Sequence, residues 1–196
     1  GLPEGDIGRA GLAFAASRSN IVYALVEAKK NVLLRSEDGG FKWKIANQDH
    51  DIDPRPFYFG RVMVNPKNEN MVYRLEFLLS ASEDAGKTFK GLAPWSIIHP
   101  DYHALWIHPN GEFMIAGNDG GIAMSYDRGK SWKFVQNLPL GQFYHISFDN
   151  EFPYHVYGGL QDNGSYRGPS NTFKKDGIYN DSWEVVGFGD GFATVP

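Results

Sequence analysis

The sequence predicts an all-β fold, and the prediction depends on composition, a repeated motif and the apolar segments around that motif. The chain has 196 residues, of which 42% are hydrophobic, 15% are aromatic and 23 are glycine. Many aromatic residues and glycines, without long apolar stripes at helical spacing, favour strands joined by tight turns. A fixed repeat period then decides which all-β architecture applies.

A motif of the form S-x-D-x-G-x-x-aromatic occurs three times at nearly even spacing. Its serines, Ser36, Ser82 and Ser125, stand 46 and 43 residues apart. We call each copy a box. The box residues are Ser36, Asp38, Gly40, Trp43, Ser82, Asp84, Gly86, Phe89, Ser125, Asp127, Gly129 and Trp132. Three matches at one period indicate a structural repeat.

Each repeat also contains two apolar segments before the box, a third that enters it and a fourth that leaves it. Four short strands in every 43 to 50 residues are typical of a β-propeller blade. We therefore expect a β-propeller fragment of about four consecutive four-stranded blades, with the boxes in hairpins. The predicted blades are residues 1–55, 56–98, 99–140 and 141–188, with residues 189–196 as the first strand of a further blade.

The fourth repeat keeps the strand pattern but lacks the box. About eight additional residues fall in the polar stretch 167–181, which we interpret as an enlarged hairpin loop. The remaining blades of the propeller are expected in a longer parent chain.

The boxes are expected to form the fold. An aspartate can accept hydrogen bonds from the N–H groups of a tight turn, the serine hydroxyl can cap it, and the glycine allows positive φ. The aromatic residue is expected to pack between blades.

Charge and composition exclude several classes of partner. The net charge is −4, the pI is near 5.8, and no run of Lys or Arg exceeds two residues, so nucleic acid is not a predicted partner. No apolar stretch approaches the ~20 residues of a membrane span. The absence of cysteine excludes disulfides and thiolate zinc sites. No cofactor and no metal are assigned.

The face of the blades opposite the boxes, the non-box face, is expected to carry function. Strands alternate in direction, so the turns between second and third strands and the links between blades lie opposite the boxes. Arg9, Tyr58 and Arg61 are expected there. The predicted ligand-binding rim consists of Asp101, His103, Asn118, Gln142, His145, Gln161 and Asn163.

Three interpretations of this face remain open. Asp119, Asp162 and Asp190 are candidate catalytic carboxylates for glycoside hydrolysis, or turn formers that bond their own backbone. His99, Asp101, His103 and Asp119 have residue types and spacing that suit a divalent metal. A set of aromatic residues can stack on a sugar or hold a partner chain, or belong to the core: Tyr58, Phe59, Tyr102, Phe143 and Tyr144.

The boxes resemble the Asp-box, or bacterial neuraminidase repeat, of sialidases, sortilin-type domains and xyloglucanase-type glycoside hydrolases. The segments HALWIHP, GNDGG, YGGLQDNG and GDGF extend the resemblance to large exported, sortilin-like or glycosyl-hydrolase-like repeat proteins of bacteria. This resemblance implies a propeller fold and a secreted, periplasmic or cell-surface location. The function that we expect is a non-catalytic binding or scaffold module for glycan or protein. The alternative is a xyloglucanase-like glycoside hydrolase with an Asp acid and base pair.

Overall fold

The computed structural model describes residues 1–138 and 140–196 and confirms the predicted all-β fold of four four-stranded blades. Among the described residues, the helical structure is limited to the short 3-10 turn Asn180–Ser182. The chain divides into two compact units, Gly1–Gln136 and Asn137–Pro196. The first unit contains blades 1 to 3 and the second contains blade 4.

Each blade of the first unit is an antiparallel sheet whose strands follow one another in chain order. Blade 1 consists of β1 Ala10–Phe14, β2 Val22–Val26, β3 Val32–Ser36 and β4 Lys44–Asn47. Blade 2 consists of β5 Arg61–Asn65, β6 Asn68–Leu75, β7 Ser80–Ser82 and β8 Lys90–Gly91. Blade 3 consists of β9 Tyr102–Ile107, β10 Met114–Asn118, β11 Gly121–Ser125 and β12 Lys133–Phe134.

Blade 4 forms the second unit in the same strand order. Its strands are β13 Phe143–Phe148, β14 His155–Leu160, β15 Ser165–Pro169 and β16 Glu184–Gly187. The connection between β15 and β16 contains most of the stretch 167–181. Residues 189–196, predicted as the opening strand of a further blade, lie outside every strand. They run beside blade 4, where the Gly191 N–H donates to the Leu160 carbonyl at 2.9 Å.

The cores of the first unit lie between adjacent blades, because alternate residues of each strand point to opposite faces of the sheet. One core joins blades 1 and 2 and includes Tyr23, Leu25, Leu33, Val62, Val64 and Val72. A second core joins blades 2 and 3 and includes Tyr73, Leu75, Leu79, Leu105, Met114 and Ala116. These repeated apolar interfaces fix the blades of the first unit against each other.

The three boxes have the same hydrogen-bonded geometry. In the second box, the Ser82 hydroxyl lies 2.7 Å from Asp84 Oδ1 and accepts the Gly86 N–H at 2.8 Å. Asp84 Oδ1 also accepts the Thr88 N–H at 2.9 Å. The first and third boxes repeat these contacts at 2.8 to 2.9 Å. The box therefore closes the hairpin between the third and fourth strands.

Candidate functional site

The non-box face of the first unit is built by links and hairpins at one end of the strands. Residues 48–60, the first linker, connect blades 1 and 2, and residues 92–101, the second linker, connect blades 2 and 3. The hairpin between β6 and β7 reaches the second linker, because the Asp101 N–H donates to the Phe77 carbonyl at 2.9 Å. These segments bring residues from three blades to one surface.

Aromatic rings and arginines meet on the first linker. The Arg9 guanidinium donates to the Phe57 and Tyr58 carbonyls at 3.2 and 3.4 Å. Arg55 lies over the Tyr58 ring, 5.2 Å from its centroid. The Tyr58 ring meets the His103 ring edge to face at 5.1 Å, which joins the linker to blade 3. We call Arg9, Arg55, Phe57, Tyr58 and His103 the linker surface.

The linker surface exposes large apolar side chains. Phe57 is 72% exposed and Tyr58 is 38% exposed. Other exposed apolar side chains of the same face are Phe77, Leu78, Trp95 and Ile97. Exposed aromatic groups beside polar side chains are typical of binding surfaces.

Gly11 allows the linker to approach blade 1, since a Cβ there would lie 2.1 Å from the Gly60 carbonyl oxygen.

Two buried carboxyl groups lie beneath this surface. Asp53, in the first linker, is 1% exposed, and Glu76, directly after β6, is 3% exposed. Burial and the hydrogen bond that protonated Glu76 donates to Asp53 raise the pKa of Glu76 to about 8. Burial also raises the pKa of Asp53, although the hydrogen bond with Glu76 and the positive charge of Arg74 oppose that shift. The pair therefore retains a proton near neutral pH.

The candidate catalytic carboxylate Asp119 lies in the first unit. Its Oδ1 is 3.0 Å from His103 Nε2, and its side chain is 19% exposed. It thus belongs to the same polar network as the linker surface. Asn118, a predicted rim residue, accepts the Gly120 N–H at 3.0 Å and shapes the turn beside Asp119. Asp101 has φ of 63°, a conformation that favours a tight turn.

Asp162 and Asp190, the other candidate catalytic carboxylates, lie together in the second unit. Asp190 Oδ1 accepts the Asp162 N–H at 3.0 Å and lies 3.4 Å from the Tyr144 hydroxyl. Of the predicted rim residues in this unit, Gln142 donates to Gln161 at 3.5 Å, and Asn163 donates to the Gln161 carbonyl at 2.8 Å. His145 is exposed on β13. The predicted rim is thus divided between two units.

The structure brings part of the ligand set suggested for a metal together. His103 Nε2 lies 3.0 Å from Asp119 Oδ1, and His99 packs against Gly120, the residue after Asp119, with its Nδ1 3.1 Å from the Pro100 carbonyl oxygen. Within residues 1–138 and 140–196, one cluster has side-chain ligand atoms close enough together to hold a metal ion. It consists of Asp149, Glu151 and His155 in blade 4. Asp149 already accepts bonds from two backbone N–H groups, the Tyr157 hydroxyl and His155. Partial burial raises the pKa of Asp149, but these bonds outweigh it and lower the pKa to about 2.

The five aromatic residues considered for stacking fall into two classes. Phe59 and Tyr102 are 2% and 1% exposed and therefore belong to the core, so they offer no binding surface. Tyr58, Phe143 and Tyr144 are 36% to 40% exposed. The buried pair differs from the three exposed rings in its packing. Phe59 stacks on His103 from inside the linker, and Tyr102 enters the core between blades 2 and 3.

Several residues of the site were not predicted. Phe57, Arg55 and Trp95 stand in the linkers between predicted blades, and their position there was the available signal. Asp53 and Glu76 are 23 residues apart in sequence, so their contact depends on the fold of the linker over blade 2. Glu76 did carry a signal, since it replaces the Val26 of the preceding repeat.

The chain is similar in fold to solved GH74 enzymes. A GH74 enzyme from Niastella koreensis matches 90% of this chain with TM-score 0.53 and 15% identity, over 30% of its own length. The GH74 xyloglucanase from Xanthomonas campestris matches 81% with TM-score 0.51 and 14% identity, over 29% of its length. An ancestral GH74 enzyme matches 90% with TM-score 0.51 and 16% identity, over 27% of its length.

The chain thus spans less than a third of each of these structures, and identities below 25% show the shared β-propeller fold alone. Comparison of the sequence with protein-family models and with curated proteins finds no match. Among the described residues, no helix has the length and apolar character needed to cross a membrane.

Proposed function

We propose that this chain is a non-catalytic binding or scaffold module of a larger exported bacterial protein, and that it engages a glycan or protein through its non-box face. The observation that supports this proposal is the exposed linker surface, where Phe57 and Tyr58 lie beside Arg9 and His103. Aromatic faces provide apolar contact area, and the neighbouring polar groups provide orientation.

A glycan is the first ligand to test. A sugar ring offers an apolar face for stacking and hydroxyls for hydrogen bonds, which matches an exposed aromatic ring next to arginine and histidine. The GH74 xyloglucanase of similar fold is named for a glycan, so xyloglucan belongs in the first panel of probes.

The test is affinity electrophoresis and array binding of the full chain against xyloglucan, other plant polysaccharides and immobilised peptides. Phe57→Ala is expected to abolish retention. Phe41→Ala is the matched control, because Phe41 is 90% exposed on the hairpin of the first box, at the opposite face. Equal binding by wild type and Phe57→Ala would contradict the proposal.

A second candidate function is glycoside hydrolysis, for which the observation is that the Asp190 carboxylate lies at the turn that carries Asp162, where it accepts the Asp162 N–H at 3.0 Å. Such a reaction needs a carboxylic acid and a carboxylate on either side of the scissile bond. Asp190→Ala is then expected to abolish release of reducing sugar. Turnover by Asp190→Ala at the wild-type rate would reject this candidate.

A further inference from the structure

Asp53 and Glu76 are neighbouring acids whose side chains interact in the interior of the first unit. Both side chains are almost fully buried. Among the described residues, no N–H or hydroxyl group donates to Asp53 Oδ1 or to either carboxyl oxygen of Glu76. Two buried carboxylates in contact repel each other, and each also loses its hydration. One proton shared between them removes the repulsion and supplies the hydrogen bond that the surroundings lack.

The pair also determines where the first linker lies. The Asn31 side-chain amide donates to the Asp53 carbonyl at 2.6 Å, which ties this residue to blade 1. The Asp53 side chain meets Glu76 of blade 2. Phe57 and Tyr58 follow within five residues, and their carbonyls accept from Arg9. Asp53 is thus an anchor of the segment that carries the linker surface.

The pair is surrounded by blade 1, the first linker and blades 2 and 3, and charged or titratable groups of each lie nearby. Arg74 of β6 donates to Ser80 and to the Asp51 carbonyl, so its guanidinium is held close to the pair. On blade 3, His103 contacts Asp119 and stacks on Phe59. The charged groups that act on the pair are Arg9 and Glu27 from blade 1, Arg55 from the linker, and Arg74 from blade 2.

We infer that Asp53 and Glu76 form a proton-operated latch: the shared proton holds the first linker on blade 2, and its loss to solvent releases the linker and the surface formed by Phe57 and Tyr58. The effect on ligand binding rests on the proposed function, whereas the latch itself does not. Release of the proton leaves two adjacent buried anions, and movement of the linker into water relieves their repulsion.

The upward shift of the pKa of Glu76 supports the latch. Burial and the contact with Asp53 raise the pKa of Glu76 to about 8. The shared proton is therefore present at pH 6.5 and mostly lost at pH 9. A surface that binds only in the latched state would bind about tenfold more weakly at pH 9 than at pH 7, because the competent fraction falls by that factor.

Carbon-13 NMR of the side-chain carboxyl groups in the full chain tests the latch without any ligand. We expect Glu76 to titrate near pH 8 and the amide signals of residues 57–60 to shift with the same midpoint. Glu76→Gln keeps the shape and donates a permanent hydrogen bond to Asp53, so these amide shifts should disappear. Glu112→Gln, on an exposed turn of blade 3, is the control and should retain them.

Two NMR outcomes would overturn the latch. One is titration of Glu76 in the ordinary range of carboxyl groups. The other is titration near pH 8 that leaves residues 57–60 undisturbed. Binding of xyloglucan and the peptide panel is then measured at pH 7 and pH 9 for wild type and Glu76→Gln. Loss of binding in wild type alone supports the latch. Absence of binding at every pH, with the NMR signature intact, would reject the proposed function and leave the latch standing.

Discussion

The second strands of blades 1 and 2 have nearly the same sequence but different chemistry at two positions. Residues 20–26 read NIVYALV and residues 70–76 read NMVYRLE. The shared apolar positions are buried in both blades. Blade 1 has Ala24 and Val26 where blade 2 has Arg74 and Glu76. Both Val26 and Glu76 are 3% exposed, so a buried apolar residue has been exchanged for a buried acid.

The positions that the two strands share build the fold, whereas Arg74 and Glu76 depart from the repeat. Residues common to the repeats fill the cores between blades, and their exchange for charged groups is expensive in free energy. The departure at Arg74 and Glu76 coincides with the linker that carries Phe57 and Tyr58. Buried ionisable groups of this kind are concentrated at functional sites. Arg74 and Glu76 are therefore candidates for a functional role, whereas the apolar positions that agree with the repeat build the fold.

Among the substitutions considered, removal of the partly buried cation of β6 is expected to lower the free energy of unfolding the most. Arg74→Ala removes the cation beside Glu76 and Asp53 and its hydrogen bonds to Ser80 and Asp51. We expect a loss of about 3 kcal/mol in the free energy of unfolding, because the acids lose their compensating charge. Urea denaturation at pH 7 measures it. Arg18→Ala, at an exposed turn, is the control, and equal midpoints for the two variants would refute the role of Arg74.

A smaller effect is expected from the box of the same blade. Ser82→Ala leaves the buried Gly86 N–H without its acceptor and removes a partner of Asp84. The expected cost is about 1–3 kcal/mol. Ser36→Ala and Ser125→Ala should cost similar amounts, since the three boxes share one geometry, and exposed Ser96→Ala should cost little. Chemical denaturation gives all four values, and a cost for Ser82→Ala no larger than for Ser96→Ala would contradict the structural role.

The boxes also predict how stability changes in acid. Hydrogen bonds from Ser82 and Thr88 lower the pKa of Asp84 from 3.8 to about 2. The folded state thus holds this proton less tightly than the unfolded chain, so the contribution is complete above pH 4 and is lost as pH falls towards 2. Asp84→Asn should reduce stability at pH 6 and flatten this acid decline. Thermal unfolding between pH 2 and 5 measures this decline. If the stability of Asp84→Asn falls as steeply as that of wild type, Asp84 is not the source of the acid dependence.

The smallest expected effect is a gain in stability. Ala85 in the second box has φ of 64°, at the position where the first box has Gly39 with φ of 76°. Ala85→Gly relieves the Cβ strain of this left-handed conformation, offset in part by the added freedom of the unfolded chain. We expect a gain of less than about 1 kcal/mol, measured by thermal unfolding. Ala81→Gly, within a strand, should destabilise instead, and a loss for both variants would contradict the strain argument.

The sequence was sufficient to predict the blades, because Ser36, Ser82 and Ser125 set the repeat period and the all-β class follows from it. It also predicted that Tyr58, His103 and Asp119 belong to the non-box face, since strand direction alternates along each blade. The division of the predicted rim residues between two compact units was not predictable from strand order. The pairing of Asp53 with Glu76 was also missed, because it depends on how an irregular linker folds back over β6.

The stability of the full chain between pH 5 and pH 9 decides whether the buried acid of blade 2 holds a proton near neutral pH. The pKa of Glu76 is raised from 4.5 to about 8 in the folded state. Its contribution to stability is therefore complete below pH 4.5 and declines as pH rises to 8. Wild type is expected to lose stability over this interval, whereas Glu76→Gln is not. Parallel stability curves for the two proteins would show that Glu76 is not protonated in the folded state near neutral pH.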